Sequence, residues 1–317
     1  MRAVRGLIAT GILTLVATVA WAQDPLAVLT EIQMKKGKVE VKPSAQAEWQ
    51  TPKPLLSLRA GAQVRVTGEA RAVLVFTGGR GTQLVTQANS PFTVAAATAP
   101  ATSDRAKAVL GNVTNFLVGQ QREKTYQSLS VRSVRAQPPV ILAPRETRVL
   151  PGTVAFEWAG SDRLKYQVRL LGPQGAVVWE QADVTRRPLA YPASAPKLKP
   201  GTRYTWELST REHGVQKAAF EVASTADATR VNDALGVLTP AGTGGYPPAT
   251  LALMRAGLLF QETLYADARR ELIAAIAAAP EEATLHLLLG HVYDRIGLRQ
   301  LAAGEFDEAE VLAAPRP

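Results

Sequence analysis

The chain is 317 residues long and 46% hydrophobic, which leaves room for two or three domains with ordinary cores. It contains no cysteine, so disulfide staples and thiolate metal sites are excluded. Its net charge of +9 is uneven: from Ala249 onward 6 Lys and Arg face 10 Asp and Glu, while residues 23–248 carry +11.

The first element is a leader. Arg2 and Arg5 precede an apolar run from Leu7 to Ala20, and Ala20-Trp21-Ala22 has the small-x-small pattern of a cleavage site. This predicts a secretory signal peptide over residues 1–22, cut before Gln23. The alternative is a retained anchor, but the run falls short of the roughly 20 apolar residues that a spanning helix needs. The protein is therefore expected to be exported, to the periplasm or cell envelope. There the basic body suits an anionic envelope polymer or a membrane surface, with an ordinary solvated surface as the alternative. Nucleic acid is not expected as a partner, because export removes the chain from it.

Residues 27–97 read as short strands with turn punctuation. Val39-Glu40-Val41 and Gln63-Val64-Arg65-Val66 alternate, and Ala72 to Phe76 is a denser apolar run. Gly78-Gly79-Arg80-Gly81 is a turn, followed by Gln83-Leu84-Val85. Strands this short and close suggest a small sandwich or barrel. The order Gly37-x-Val39-x-Val41, Trp49, Leu58-x-x-Gly61-x-x-Val64, Ala70-Arg71-Ala72-x-Leu74-x-Phe76 and Gly78-Gly79 resembles the FecR-like periplasmic domain. Regulators of that family carry a cytoplasmic region and a membrane span ahead of the domain. Only the leader precedes it here, so transmembrane signalling is not expected.

After a linker at Pro100 to Ser103, Val109, Leu110, Val113, Phe116 and Leu117 fall on one face of a helix, with the segment 104–125 flanked by Arg105, Lys107, Arg122 and Lys124. It reads as a helix packed on a neighbouring sheet or, in the alternative, as a basic amphipathic helix lying on a membrane.

A second β region spans residues 138–224. Runs at Val154–Trp158, Tyr166–Leu170, Val177–Trp179, Tyr204–Leu208 and Phe220–Val222 alternate at period 2, separated by Pro151-Gly152, Gly172-Pro173 and Pro200-Gly201. This reads as an immunoglobulin-like sandwich. Leu198-x-Pro200-Gly201-Thr202-x-Tyr204-x-Trp206 resembles the corner before the sixth strand of fibronectin type III domains. The resemblance implies that the Tyr204 hydroxyl bonds back to the chain. Trp158, Trp179 and Trp206 are expected in the core rather than on a carbohydrate-stacking platform.

Gly236 to Pro248 is expected as a flexible linker. Residues 249–314 then repeat with a shift of 34: Ala268, Leu272 and Ala275 recur as Ala302, Phe306 and Ala309, and Ala256 falls opposite Gly290. A fixed period of this length marks a supersecondary unit that hides its apolar face against its neighbour. With Leu289-Gly290, Tyr293, Gly297 and the punctuating Pro280 and Pro315, the segment resembles two tetratricopeptide repeats. Two repeats are fewer than independent stability needs, so the tail should dock on another domain or on a second copy. The resemblance implies an inner face for a protein partner at Leu253, Phe260 and Gln261 in the first unit, and at Leu287, His291, Asp294 and Arg295 in the second.

Catalytic chemistry is not expected. His286 and His291 are five apart, on different helix faces, so a shared metal is not expected. Thr77 to Thr82 is rich in glycine but lacks the Gly-Lys-Ser/Thr of a phosphate loop. Glu281-Glu282 lies where a helix begins and suits its dipole. No cofactor is implied. The expected fold class is multidomain: an all-β part, FecR-like domain plus immunoglobulin-like sandwich, then an α-helical tetratricopeptide-like hairpin tail. The expected function is that of a non-enzymatic envelope adaptor. The alternatives are a glycan- or cell-wall-binding protein that dimerises through its tail, and an unrecognised hydrolase.

Overall fold

The structure is a computed structural model that describes residues 24–95, 104–120, 138–152 and 154–314. The expected signal peptide, residues 96–103 with the expected linker, and residues 121–137 with Arg122 and Lys124 lie outside these residues. Antiparallel sheets come first and a run of helices last, in the expected order.

The first β domain contains β1 (Ala27–Gln33), β2 (Gly37–Lys42), β3 (Ser57–Leu58), β4 (Gln63–Gly68), β5 (Arg71–Phe76), β6 (Thr82–Val85) and β7 (Phe92–Thr93). They form a sheet of order β3-β1-β5-β6 and a second of order β2-β4-β7. Leu29, Ile32, Leu74 and Phe76 meet Val39, Val41, Val64 and Val66 in the core between the two. Val28 and Val75 point the other way, into a core shared with the helices. Strand β1 is therefore buried on both faces, which removes the alternation that would have marked it in sequence.

Helix α1 (Asp104–Gly119) buries Leu110, Val113 and Leu117 and half-buries Val109 and Phe116, on the face expected for it. It packs over the turn after β5. Gly78 and Gly79 there have φ of 70° and 69°, and a Cβ on Gly79 would stand 2.6 Å from the Lys107 Cα. This apolar face is thus covered by protein; Arg105 pairs with Asp233 at 2.7 Å.

The second β domain contains β8 (Val140–Ala143), β9 (Thr147–Val149), β10 (Ala155–Ala159), β11 (Tyr166–Leu171), β12 (Val177–Val184), β13 (Leu189–Ala190), β14 (Arg203–Ser209) and β15 (Gln216–Val222). Sheets of order β13-β10-β8 and β12-β11-β14-β15-β9 face each other across Phe156, Trp158, Tyr166, Trp206 and Phe220. The Lys199 N–H donates to the Tyr204 hydroxyl at 2.9 Å, the corner bond that the motif implies. Trp158 and Trp206 are buried, and Trp179 stacks on Phe156 at 5.8 Å, so none of the three forms an open platform.

Helix α2 (Thr225–Val237) follows at once, capped by the Ser224 hydroxyl, which accepts from the Asp227 N–H at 3.1 Å. The stretch expected as a flexible linker is instead packed: Leu238, Thr243 and Tyr246 are buried. Its glycines serve tight turns. Gly244 and Gly245 have φ of 71° and 90°, and a Cβ on Gly242 would stand 2.3 Å from the Val237 carbonyl oxygen.

The tail is two helical hairpins, α3 (Pro248–Gln261) with α4 (Tyr265–Ala278) and α5 (Ala283–Arg295) with α6 (Arg299–Ala313). Small residues sit where the helices cross. Ala256, Ala268 and Ala302 are fully buried, and a Cβ on Gly290 would lie 2.5 Å from the Phe306 ring. The tail also joins the sandwich. Thr263 O accepts from the Arg148 N–H at 2.9 Å, Arg145 Nε donates to Ile296 O at 2.7 Å, and Arg269 pairs with Glu157 at 2.6 Å.

Candidate interaction site on the inner face of the helical tail

Four of the residues expected on a partner-binding face come together in the structure, but that face is already covered. Leu253, Phe260 and Leu287 are buried in one core with Val28, Leu110, Val113 and Leu117, and His291 is buried beside it against Phe306. Helix α1 and strand β1 supply the cover. The Phe260 ring lies 5.3 Å from that of Phe116, tilted by 43°. A Cβ on Gly257 would stand 3.1 Å from Val113 Cγ1 and 3.2 Å from Leu117 Cδ2, so glycine sets how closely α1 approaches α3. His291 Nε2 donates to the Gln120 carbonyl at 2.8 Å, and its ring stands edge-on to Phe306 at 5.0 Å.

The expectation of an open site is corrected accordingly. Gln261 and Arg295 are exposed and Asp294 half-buried, so these three lie outside the buried patch. The cause is apolar area. Two hairpins alone leave one broad face without a partner, and the apolar stripe of α1 is the complementary unpaired surface.

Where β1 meets the first turns of α3 and α5 lies a polar cluster. A bulge between Leu29 and Glu31 inserts Thr30 into β1. It brings Thr30 and Glu31 together against α3. Glu31 Oε1 accepts from the Thr250 N–H at 2.9 Å and from the Thr250 hydroxyl at 2.6 Å. Glu282, at the N-cap of α5, accepts from the Ile32 N–H at 3.1 Å. The Thr284 hydroxyl donates to Thr30 O at 2.6 Å. Both carboxylates are fully buried, and each keeps one oxygen, Oε2, without a hydrogen bond. Burial pushes the Glu282 carboxyl up to about 8, the nearby Glu31 adds to the rise, and the Ile32 and Thr284 bonds oppose it. Arg71, 3.7 Å from Glu31 Oε2, is the cation beside the pair.

Sequence reading placed Glu282 at a helix start but could not see that it crosses to β1. Glu281, its neighbour, is exposed. The two histidines are apart, as their spacing implied. His286 faces the Glu305 carboxylate at 2.7 Å and Pro280 O at 3.3 Å, whereas His291 faces α1 and Phe306. Among the described residues no group of three or more acidic or histidine side chains is placed to hold a metal ion.

No family model matches the chain, and no curated protein matches it. Among solved structures, CopC from Methylosinus trichosporium OB3b aligns over 28% of this chain and 96% of its own, at 19% identity and a TM-score of 0.21. A likeness at that score carries no argument about fold or ligand.

Proposed function

We propose that the chain is an exported, non-enzymatic adaptor of the cell envelope. In this reading a FecR-like β domain and a fibronectin type III-like sandwich form the body, and two tetratricopeptide-like repeats form a protein-binding tail. One observation carries it. The inner face of the tail grips a helix through Phe260, Gly257 and His291, the kind of contact such repeats make with a protein segment, and here the segment is the chain's own α1. With that face taken, the tail offers a partner its outer helices, where Ile273, Leu301 and Val311 are 39%, 40% and 66% exposed. The leader pattern supports export, and among the described residues no helix is long and apolar enough to cross a membrane.

The test is capture from envelope extract by the full chain and by Ile273→Asp, Leu301→Asp and Val311→Asp. The expected result is a protein held by the parent and lost from at least one variant of unchanged stability. Equal capture by all four, or none by the parent, overturns the reading.

A second reading, glycan binding, is favoured by an open cleft of about 460 Å³ lined by Tyr191, Pro192, Lys197 and Leu198. Retention on cell-wall glycan that Tyr191→Ala abolishes would move the assignment there.

A further inference from the structure

We propose that Glu282 and Glu31 form a proton-gated latch, closed while Glu282 carries a proton and released when it ionises, between the first β domain and the helical tail. The geometry is that of an interface with nothing to absorb a second charge. Both carboxylates are fully buried between β1 and the starts of α3 and α5. Glu31 has a cation beside it in Arg71 of β5, and it accepts two bonds from Thr250. Among the described residues no cation pairs with Glu282: the groups that bond it are the Thr284 side chain and the Ile32 backbone N–H, and its Oε2 has no hydrogen bond.

The other charged groups near the start of α5 do not compensate. His286, one turn on, is turned toward Glu305 of α6, and Glu281 is exposed. The first turn of α3, Pro248 to Thr250, holds no charge, and α1 contributes apolar side chains to this core. Arg71, already half-exposed, answers to Glu31. A charge on Glu282 therefore sits buried beside the charge on Glu31, and separating α5 from β1 lets water reach both.

The sign follows from the raised carboxyl. Below the ordinary value of 4.5 Glu282 is protonated whether or not the tail is docked. Between 4.5 and about 8 only the docked form keeps the proton, so the advantage of docking falls as pH rises and is gone above about 8. Release bares Leu253, Phe260, Leu287 and His291. The latch is independent of what then binds there.

The chain has no cysteine, so Lys35→Cys and Ala278→Cys, both exposed, give a clean pair for two fluorophores. Energy transfer across the full chain is expected to change as pH rises from 4.5 to about 8 and to level off above it, while far-UV dichroism stays constant. Glu282→Gln, an uncharged isostere, should remove the transition. Glu31→Gln, which removes the neighbouring charge and lets the docked form tolerate an ionised Glu282, should weaken the release or shift it to higher pH, and serves if Glu282→Gln does not fold. A parent whose energy transfer is flat across this range overturns the latch. So does a Glu282→Gln form that titrates like the parent, or a Glu31→Gln form that is released as fully as the parent at the same pH.

Discussion

His291 Nε2 lies 2.8 Å from the Gln120 carbonyl oxygen, a bond between the end of α1 and the middle of α5 that spans 171 residues of chain. As an open-face residue, His291 could be truncated without loss of stability. As a buried tie it cannot. His291→Ala leaves the carbonyl without its donor and removes the ring packed on Phe306, and the expected loss is about 1–3 kcal/mol. Urea denaturation of the full chain reads it, and a parent-like midpoint would count against the docked arrangement.

Gly257 and Gly304 make a matched pair. A side chain at Gly257 meets Val113 and Leu117, whereas at Gly304, on the exposed side of α6, nothing lies within 4 Å. Gly257→Leu is expected to overpack the α1 contact at about 1–3 kcal/mol. Gly304→Ala should stabilise by about 0.5–1 kcal/mol through helix propensity alone. Thermal melts of both should move in opposite directions.

His286 predicts a pH-dependent term of its own. Burial alone would favour the neutral ring, but Glu305 at 2.7 Å outweighs it, helped by the Pro280 carbonyl and by Glu308, and the pKa stands above 6.5. Two acceptors face the two ring nitrogens, which only the imidazolium can satisfy with two N–H groups. A raised histidine stabilises fully below its unfolded value of about 6.5, and that stability is lost as pH rises through the folded pKa. The stability difference between the parent and His286→Gln should therefore be largest near pH 5.5 and shrink by pH 9. A constant difference would contradict the pairing.

Tyr204→Phe isolates the sandwich corner. It removes the acceptor of the Lys199 N–H and nothing else, because the ring stays stacked on Phe220 at 5.8 Å. A loss of about 1–2 kcal/mol is expected. Amide exchange should quicken near Lys199 but not in α1 or α5.

Local patterns made much of this fold readable. Alternation marked β2, β4, β10, β11 and β14, because each has one face inward and one outward. Strand β1 lacks that contrast, since Ala27 to Ile32 are all buried. Helix α2 was hidden because its cap, Ser224, lies only two residues past the end of β15, and the glycines beyond it looked like slack. The resemblance to tetratricopeptide repeats implied an inner face at Leu253, Phe260, Gln261, Leu287, His291, Asp294 and Arg295, of which Leu253, Phe260, Leu287 and His291 are buried, but it says nothing about what lies opposite. The Glu31–Glu282 junction left no local trace, because its partners lie at opposite ends of the chain and each is ordinary in its own neighbourhood.

The bonds from Thr284 to Thr30 and from Ile32 to Glu282 close loops of 254 and 250 residues. Contacts of that span form late, after the entropy of the intervening chain has been overcome. As the polypeptide emerges from its N-terminus, the two β domains can complete their own cores while Val28, Val75 and the apolar stripe of α1 stay wet. That patch is the surface on which a nascent chain would aggregate or engage a holdase. A chain cut short within α5 or α6 would then be a sticky species, marked for quality control by the half of its core that never arrived.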